Sequence, residues 1–577
     1  MHCAGLFFLK GASLELGFQQ VLLQVVRQRS QCYLEESRPS LPILHSRDRT
    51  ILARNETLTY YFLFKGMRRP IHLNLYNDHD LALLVGSRHS YRYVTMDHHL
   101  RQLARLQVAD DLGQVMAGRY FAVWYQDPSL PDTDVFYVDA HEKVIWSEQP
   151  VPKGFVSARR EVHACLKQLF LHGRGGHPLY CLTYPGDLHL TKGLPDLLDA
   201  FEAAIGKEVV HVIVVDREGL SLDLILALRD RHKAIVTLLR SDQYTSEADF
   251  QRKGDFCPLV DERLGEVTHQ VAETEFLLDK RELLRCALMR DLARDKLVPI
   301  VTTVSVERQP DIVQVARWYL ARWDTQENSL RSLVEFVDLN VNFGLKTKRE
   351  VPNRVVARKS AALLAHLQAL DNKINSKLEK RQQEEDFLQR QVARHDKKLT
   401  ALLQKMARLE QKPNPARQVK LEAQIREYRQ RHHDRIAKHL AQKAEAETLI
   451  ESYRTERTRT IEQLADLNPQ AKLYEVLTEK DQIMTHLRLG VHNSVLFARQ
   501  YYFGPKYQRA TPLTLWRTFF SQDGYYRETE EAILVTLKPY RDAQLQRDAV
   551  EACQRFNARQ IRTYTGKLLQ LAVAECK

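Results

Sequence analysis

The sequence predicts an α/β protein in which a mixed sheet is covered by helices and accompanied by an N-terminal helical region and a long antiparallel coiled-coil hairpin. Short β-branched runs alternate with helical patterns over residues 130–345, which is typical of a sheet covered by helices. Apolar residues then recur at alternating steps of four and three over residues 360–465, as in a coiled coil. Residues 468–577 return to a globular composition and predict a C-terminal α+β region, with a helix near 474–487 and a strand at 532–537.

The composition is that of a basic protein with room for several domains. The 577 residues carry a formal net charge of +12, and 27% of them are charged. An excess of positive charge favours a polyanionic partner such as nucleic acid, or an anionic membrane surface. An ordinary basic soluble protein fits the same charge, so the charge alone does not decide the partner.

The cysteines and the apolar runs indicate a soluble protein of a reducing compartment. The eight cysteines are scattered and form no Cys-x-x-Cys pair, so neither a zinc ribbon nor a disulfide framework is indicated. The apolar run at 4–9 is too short for a signal-peptide core, and no run reaches the roughly eighteen residues of a membrane span. We therefore expect a cytoplasmic protein without a membrane partner. Because residues 6–9 resemble the interior of a domain, an N-terminally shortened domain remains an open alternative.

Residues 1–125 predict a basic, mostly helical region. Amphipathic patterns run over residues 14–27 and about 97–116, and Arg-rich loops lie between them. Such a region can bind DNA through its phosphates. The alternative interpretation is a helical cap on the following domain.

Residues 130–345 predict the α/β core. Strands are expected at 135–139, 143–146, 178–183, 209–216, 234–239 and 298–304, the second across a short turn from the first. Helices are expected at 194–205 and 222–231, the latter capped by Ser221. The charged segment 241–299 interrupts this alternation and is interpreted as an insertion.

Two apolar seams predict the coiled-coil hairpin. The first seam consists of Leu388, Val392, His395, Leu399, Leu402, Met406 and Leu409. The second consists of Leu421, Ile425, Tyr428, His432, Ile436 and Leu440. The Pro-rich segment 412–416 between them predicts a turn. The many charges on the outer faces indicate either a solvated surface or a DNA contact.

Three carboxylates carry the candidate chemistry. Asp139 and Asp216 each end a predicted apolar strand, where a sheet presents side chains to a cleft. Glu327 belongs to a helix predicted over residues 316–331, with Tyr319, Trp323 and Arg331 along the same side. Carboxylates suit the pair of divalent ions, about 3.5–4 Å apart, that many phosphodiester-cleaving enzymes use. Each aspartate can also be a cap or turn residue, and the helix can be an ordinary solvated one.

The segments around these acids resemble the three catalytic segments of insertion-sequence DDE transposases. The resemblance rests on Tyr-Val-Asp-Ala-His at 137–141, Val-Val-Asp-Arg-Glu-Gly at 214–219 and Ala-Arg-Trp-Asp-Thr-Gln-Glu-Asn at 321–328. It implies a ribonuclease-H-like core and a DNA transposase that uses two Mg²⁺ ions, which Mn²⁺ can replace. It also implies double-stranded DNA, as transposon ends and target, for a partner, a homodimer on that DNA, and action in the prokaryotic cytoplasm near the nucleoid.

One subgroup of that family has a Tyr-x₂-Arg-x₃-Glu-x₆-Lys signature, which this sequence matches in part. Tyr319 and Arg322 match its opening. Glu327 comes one residue late, and Val334 stands in the place of the lysine. Arg331 is the nearest base on the same helical side. The resemblance thus implies Glu327 as the third acid and leaves its basic partner open.

The resemblance also implies roles for the neighbours of the acids. Asp139, Asp216 and Glu327 would hold the metal ions, while Tyr319, Arg322 and Arg331 would bind terminal phosphates and Trp323 would stack or pack. Two residues have open interpretations: the supporting residue His141 orients Asp139 or a water, or only forms a turn, and Arg217 binds phosphate or forms a salt bridge. Asn328 is a further supporting candidate, and Glu335 is a rival to Glu327. Alternative functions are a non-catalytic DNA-binding scaffold and a nuclease of the same fold.

Overall fold

The protein has a mixed α/β fold with a large mixed sheet and long helices. The computed structural model describes residues 1–36, 38–76, 79–126, 134–147, 150–244, 250–261, 265–323, 327–343, 348–351, 353–411, 415–467 and 473–575. The chain forms two compact units. The first comprises Met1–Arg349 and Tyr474–Lys577, and the second is Glu350–Leu473.

Helices form the first part of the larger unit. They are α1 (Leu6–Glu15), α2 (Phe18–Glu35), α3 (Asp48–Tyr60), α4 (His79–Leu84), α5 (Tyr93–Arg105) and α6 (Ala109–Tyr125). The predicted helices 14–27 and 97–116 were wrong in extent, because each covers parts of two helices. The chain breaks at Gly17 with φ of 66° and at Gln107 with φ of 55°, and this left-handed backbone cannot continue an α-helix.

The sheet contains eleven of the described strands. They are β1 (Val135–Val144), β2 (Lys153–Val156), β3 (Glu161–His172), β4 (Pro178–Pro185), β5 (Val212–Val215), β6 (Ala234–Leu238), β7 (Gln251–Arg252), β8 (Cys257–Val260), β9 (Val267–Leu278), β10 (Glu282–Asp291) and β11 (Lys296–Thr302). Their order is β2-β3-β1-β5-β6-β11-β10-β9-β7, with β4 beside β3 and β8 beside β9. The β1–β5 and β5–β6 pairs are parallel, whereas β3, β10 and β11 run antiparallel to their neighbours.

One sequence-based expectation about the sheet needs correction. Segments 135–139 and 143–146 are not a hairpin, since β1 runs without interruption through Val144 and pairs with β3 up to Val144↔Cys165. The segment 241–299, interpreted as an insertion, contributes strands to the same sheet. Strands β9, β10 and β11 extend it beyond β6, where β11 pairs with β6.

Four helices of the core follow or cover these strands. They are α7 (Leu190–Ile205), α8 (Leu222–Arg229), α9 (Ile312–Arg322) and α10 (Asn328–Val337). The predicted cap of α8 is confirmed, because Ser221 Oγ accepts a hydrogen bond from the backbone N–H of Leu224 at 3.1 Å.

The smaller unit consists mainly of two long helices, α11 (Arg354–Gln411) and α12 (Pro415–Ala465). They run in opposite directions, as the ion pairs Arg457–Asp371 and His439–Glu384, both at 2.6 Å, require. Most of the predicted turn, residues 412–414, lies outside the described residues. The strands β12 (Lys348–Val351) and β13 (Leu473–Val476) form a separate two-stranded sheet.

The C-terminal segment belongs to the larger unit. It contains α13 (Glu479–Ala498), α14 (Pro512–Leu515), α15 (Ala543–Ala558) and the strands β14 (Gly524–Glu528), β15 (Ala532–Leu537) and β16 (Leu568–Val573). The strand predicted at 532–537 is β15, whereas the predicted helix near 474–487 begins only at Glu479. Helix α13 is buried from Asp481 to Ala498. None of the described helices is both long and apolar enough to cross a membrane.

Candidate functional site

The two aspartates lie at the same level of adjacent parallel strands. Val138 of β1 is paired with Val215 of β5. Asp139 follows Val138 in the sequence, and Asp216 follows Val215. Neighbouring strands lie about 4.7–4.9 Å apart. The fold therefore brings Asp139 and Asp216 close together.

Both aspartates also share one face of the sheet. The buried side chains of β1 and β5 that pack on α9 are Val135, Tyr137, Val212 and Val214. Side chains alternate between the two faces of a strand, so a further step of two residues from Tyr137 and Val214 reaches Asp139 and Asp216. The carboxylates thus extend an apolar row toward the C-terminal end of α9.

Asp139 differs from Asp216 in its place on the strand. Asp216 directly follows β5, as predicted, but Asp139 lies inside β1, which continues to Val144. The expectation that Asp139 ends a strand is therefore wrong. The pairing of β1 with β5 does end at Val138, and the Asp139 carboxylate accepts a hydrogen bond from the N–H of Ala140 at 2.8 Å.

Helix α9 brings a hydroxyl and a guanidinium to the acids. The Tyr319 hydroxyl lies 3.4 Å from Asp216 Oδ1 and donates to it, and Arg322 lies 2.6 Å from a carboxylate oxygen of Glu327. Burial acts to lower the pKa of Arg322, but the negative potential of Tyr319, Asp216, Glu327 and Asp139 outweighs burial and raises it. One guanidinium therefore interacts with all three candidate carboxylates.

The carboxyl group of Glu327 has a raised pKa. Partial burial is the main cause, and the negative charge of Asp216 adds to it, while Arg322 and Arg331 oppose the shift. Glu327 and Asp216 are thus near enough to repel each other electrostatically. This repulsion is what a bound cation would relieve.

The described residues of the helix predicted over 316–331 are all helical. They belong to α9, which ends at Arg322, and to α10, which begins at Asn328. Trp323 and Glu327 have π-helical backbone, whereas residues 324–326 lie outside the described part. Glu327 contacts Arg322 across this segment.

Two other predicted site residues, Arg331 and Trp323, lie at the protein surface near Glu327. Arg331 lies over the ring of Trp323, with its guanidinium carbon 6.0 Å from the ring centroid. Both side chains are exposed, with 56% of Trp323 accessible. They can contact a ligand without any rearrangement of the core. Asn328, at the start of α10, is exposed as well.

Arg217 and His141 have different surroundings. Arg217 is exposed on a short 3₁₀ turn after Asp216 and has no ion-pair partner among the described residues. His141 lies two residues beyond Asp139 on the same face of β1. Burial, with a smaller contribution from Lys143, lowers the pKa of His141 to about 4 although a hydrogen bond with Asn340 opposes the shift. His141 is therefore neutral near pH 7.

The sequence analysis missed the polar residues that hold β1 in place. Lys143 Nζ lies 2.8 Å from Asp481 Oδ2 of α13, and both side chains are buried. Asp481 also accepts a hydrogen bond from the N–H of Phe343, which follows α10, at 3.2 Å. Each residue alone resembles an ordinary surface charge in the sequence. The two residues are 338 positions apart in the sequence, and only folding brings them into contact.

The acids fit a divalent cation by their chemistry. Mg²⁺ prefers carboxylate oxygens and retains several waters, which a partly exposed acidic cleft allows. Asp139, Asp216 and Glu327 are all partly buried, and Arg322 and Arg331 are the cations that act on Glu327. Within the described residues, no group of three or more metal-ligating side chains is already gathered at ligating distance.

The sequence matches no family model and no curated protein. The interpretation of the acidic site therefore depends on its geometry and on the residues that form it.

Proposed function

We propose that the protein is a metal-dependent DNA transposase of the DDE type with a ribonuclease-H-like core. The observation that carries this proposal is that β1 and β5 place Asp139 and Asp216 at adjacent strand positions, while Tyr319 of α9 contacts Asp216 and Arg322 of α9 contacts Glu327. Neighbouring carboxylates repel each other, and a bound cation relieves that repulsion. Such a site suits phosphodiester cleavage and strand transfer.

The chain's own residues would divide the work between metal binding and DNA binding. Asp139, Asp216 and Glu327 would hold two Mg²⁺ ions, with Mn²⁺ as a substitute, and bound ions would activate the attacking oxygen and stabilise the leaving oxygen. Arg322 balances the acids' charge when no cation is bound. Arg331 is exposed beside Glu327 and can contact a phosphate of double-stranded DNA.

The basic charge of the chain supports DNA as the partner. A formal net charge of +12 favours association with a polyanion. Joining two transposon ends to a target requires two active sites, which supports a homodimer on DNA. We propose that it acts in the prokaryotic cytoplasm.

We also propose that the two long helices form a coiled-coil hairpin. His395 of the first predicted seam stacks on His432 of the second, with ring centroids 3.6 Å apart, and lies 5.3 Å from the ring of Tyr428. Leu402 and Ile425, also seam residues, are buried at 8% and 7% exposure. Contacts between members of the two seams are what knobs-into-holes packing produces.

The proposal is tested with DNA that spans the gene and its flanks, where terminal inverted repeats would lie. The purified protein is incubated with this DNA and Mg²⁺ or Mn²⁺, and nicked and joined products are scored separately. Wild type should give both products. Asp139→Asn, Asp216→Asn and Glu327→Gln should each abolish them without loss of DNA binding, because the ligands are removed while the fold is retained.

Matched variants make the result specific. Asp230→Asn removes an exposed acid at the C-terminal end of α8 and should leave cleavage unchanged. Glu335→Gln tests the rival acid, and loss of activity in this variant but not in Glu327→Gln would contradict the assignment of Glu327. Nicks without joined products would instead indicate a nuclease, and DNA binding without either product would indicate a scaffold.

A further inference from the structure

A large cleft lies beside the candidate acidic site, within the larger unit. Its volume is about 1060 Å³, at the upper end of the ~300–1,000 Å³ typical of small-molecule pockets. We call it the Trp146 cleft, and the residues that matter here are Arg68, Arg69, Tyr93, Trp146, Arg159 and Phe343. The cleft is spacious enough for a short segment of a polymer.

Two elements lead from the acids into the Trp146 cleft. Glu142, which lines the cleft, is three residues beyond Asp139 on β1, a distance of about 10 Å along a strand. Val334 also lines the cleft and is seven residues beyond Glu327, about 10 Å along a helix. The Trp146 cleft therefore begins about 10 Å from the acids along each element, and the Glu142 side chain lies on the face of β1 opposite to Asp139.

An exposed aromatic ring stands in this cleft. Trp146 is 69% exposed, which is unusual for the largest apolar side chain. The guanidinium carbon of Arg159 lies over its ring, 4.9 Å from the centroid, and the ring of His163 packs on it at 4.9 Å and 72°. These contacts hold the indole in place and leave much of it accessible to a flat ligand.

Two arginines in the cleft are available for an anion. Arg68 and Arg69 are exposed, and neither guanidinium has an ion-pair partner among the described residues. Four acids also line the cleft, namely Asp97, Glu142, Glu335 and Asp338. Asp97 is already engaged, since it pairs with Arg101 at 2.7 Å and lies 3.8 Å from Lys480. Arginine binds phosphate through a planar fork of donors, so adjacent arginines suit a phosphodiester backbone.

We propose that the Trp146 cleft binds single-stranded DNA, with a base against Trp146 and phosphates on Arg68 and Arg69. A free aromatic face requires an unpaired base, because the bases of a duplex are already stacked on each other. Basic residues with an aromatic platform are the usual means of binding single strands. The inference rests on the proposed function for the identity of the nucleic acid as DNA, and it specifies which state of the DNA is held next to the acids.

The test is fluorescence anisotropy with a short fluorescein-labelled oligothymidylate and the full chain, in EDTA so that no cleavage occurs. Wild type should bind the single strand more tightly than a duplex of the same length. Trp146→Ala should weaken single-strand binding about tenfold, which corresponds to about 1.4 kcal/mol and lies within the ~1–3 kcal/mol of a stacked base. Arg68→Ala should weaken binding and lower the salt dependence by about 0.7 in the log–log slope.

The matched control is Phe155→Ala. Phe155 is 58% exposed on the neighbouring strand β2 but does not line the cleft, so its removal should leave the affinity unchanged. Equal affinities of wild type and Trp146→Ala, or equal losses in Trp146→Ala and Phe155→Ala, would overturn the inference.

The same variants separate this inference from the proposed function. Asp139→Asn should lose cleavage and retain single-strand binding. If wild type binds single strands through Trp146 but never cuts DNA, the single-strand binding site is confirmed and the transposase proposal fails. If Trp146→Ala binds single strands like wild type while wild type cuts and joins DNA, the cleft assignment fails and the transposase proposal stands.

Discussion

Lys143 and Asp481 form an ion pair of 2.8 Å, with 1% and 0% of their side chains exposed. Asp481 also lies 3.4 Å from the amide nitrogen of Gln168 and accepts from the N–H of Phe343 at 3.2 Å. Lys143 is on β1, four residues after Asp139, and Phe343 is in the segment after α10. Helix α13 therefore connects the strand that carries one candidate acid with the segment that follows another.

We expect Lys143→Met to reduce the free energy of unfolding by about 3–5 kcal/mol, because it leaves the Asp481 carboxylate buried without its cation. Urea unfolding measures this change. The double variant Lys143→Met/Asp481→Asn should be less destabilised than the sum of the two single variants, since it removes both charges. Strict additivity in this cycle would show that the pair does not interact.

We expect Arg322→Ala to reduce the stability by on the order of 1–3 kcal/mol, because hydrogen bonds to charged groups contribute about that much. With the guanidinium removed, the three acids repel each other more strongly, so Mg²⁺ should raise the melting temperature of Arg322→Ala more than that of wild type. Calorimetry with and without Mg²⁺ measures both effects. Arg331→Ala is the matched comparison, and an equal Mg²⁺ response in all three proteins would contradict the prediction.

We expect Tyr319→Phe to change the free energy of unfolding by less than about 1.5 kcal/mol. The hydroxyl donates one long hydrogen bond of 3.4 Å to Asp216. The side chain is buried against the sheet, with Tyr319 only 8% exposed. Tyr319→Ala removes that ring and should cost about 3–5 kcal/mol. Denaturant titrations of the two variants separate the hydroxyl from the ring, and similar losses in both would refute this division.

Glu479 predicts a pH dependence of stability. Burial is the main cause that raises its pKa from 4.5 to about 7, with Asp110 and Asp111 adding to it, while a hydrogen bond from the N–H of Ala109 and the charge of Arg29 oppose it. Between pH 4.5 and about 7 the folded chain therefore binds more protons at Glu479 than the unfolded chain does. Its contribution lowers stability as the pH rises through this window.

The variant Glu479→Gln removes this titration and keeps an acceptor for the N–H of Ala109. We expect it to be as stable as wild type near pH 4.5 and more stable by up to about 3 kcal/mol above pH 7. Urea unfolding at several pH values measures the difference, with the exposed Glu530→Gln as the control. A constant difference across this pH range would exclude Glu479 as its source.

The elements that the sequence predicted well depend on local interactions. Strand β15 has the predicted bounds, 532–537, because its alternating apolar residues identify one buried face. The cap at Ser221 was predictable because a cap and the N–H that it accepts lie three residues apart. Helix and strand periods are likewise properties of neighbouring residues.

The incorrect expectations concern boundaries set by distant partners. Strand β1 continues through Ala140 because that residue pairs with Leu169 of β3, which local propensity does not report. The break between α5 and α6 at Gln107 requires a left-handed backbone that no glycine signals in the sequence. The sheet order that places β11 beside β6 is also a long-range property.

The sequence by itself determined the mixed α/β character, the two long helices and the candidate acids Asp139, Asp216 and Glu327, because periodicity and residue chemistry are readable along the chain. The tertiary structure alone decided that Asp139 and Asp216 lie on adjacent strands and Glu327 contacts Arg322, that Lys143 faces Asp481, and that Trp146 stands exposed in a cleft. The physical reason is that charge proximity and solvent exposure depend on which distant segments pack together. No local pattern encodes that choice, since it is made by the burial of the whole apolar core.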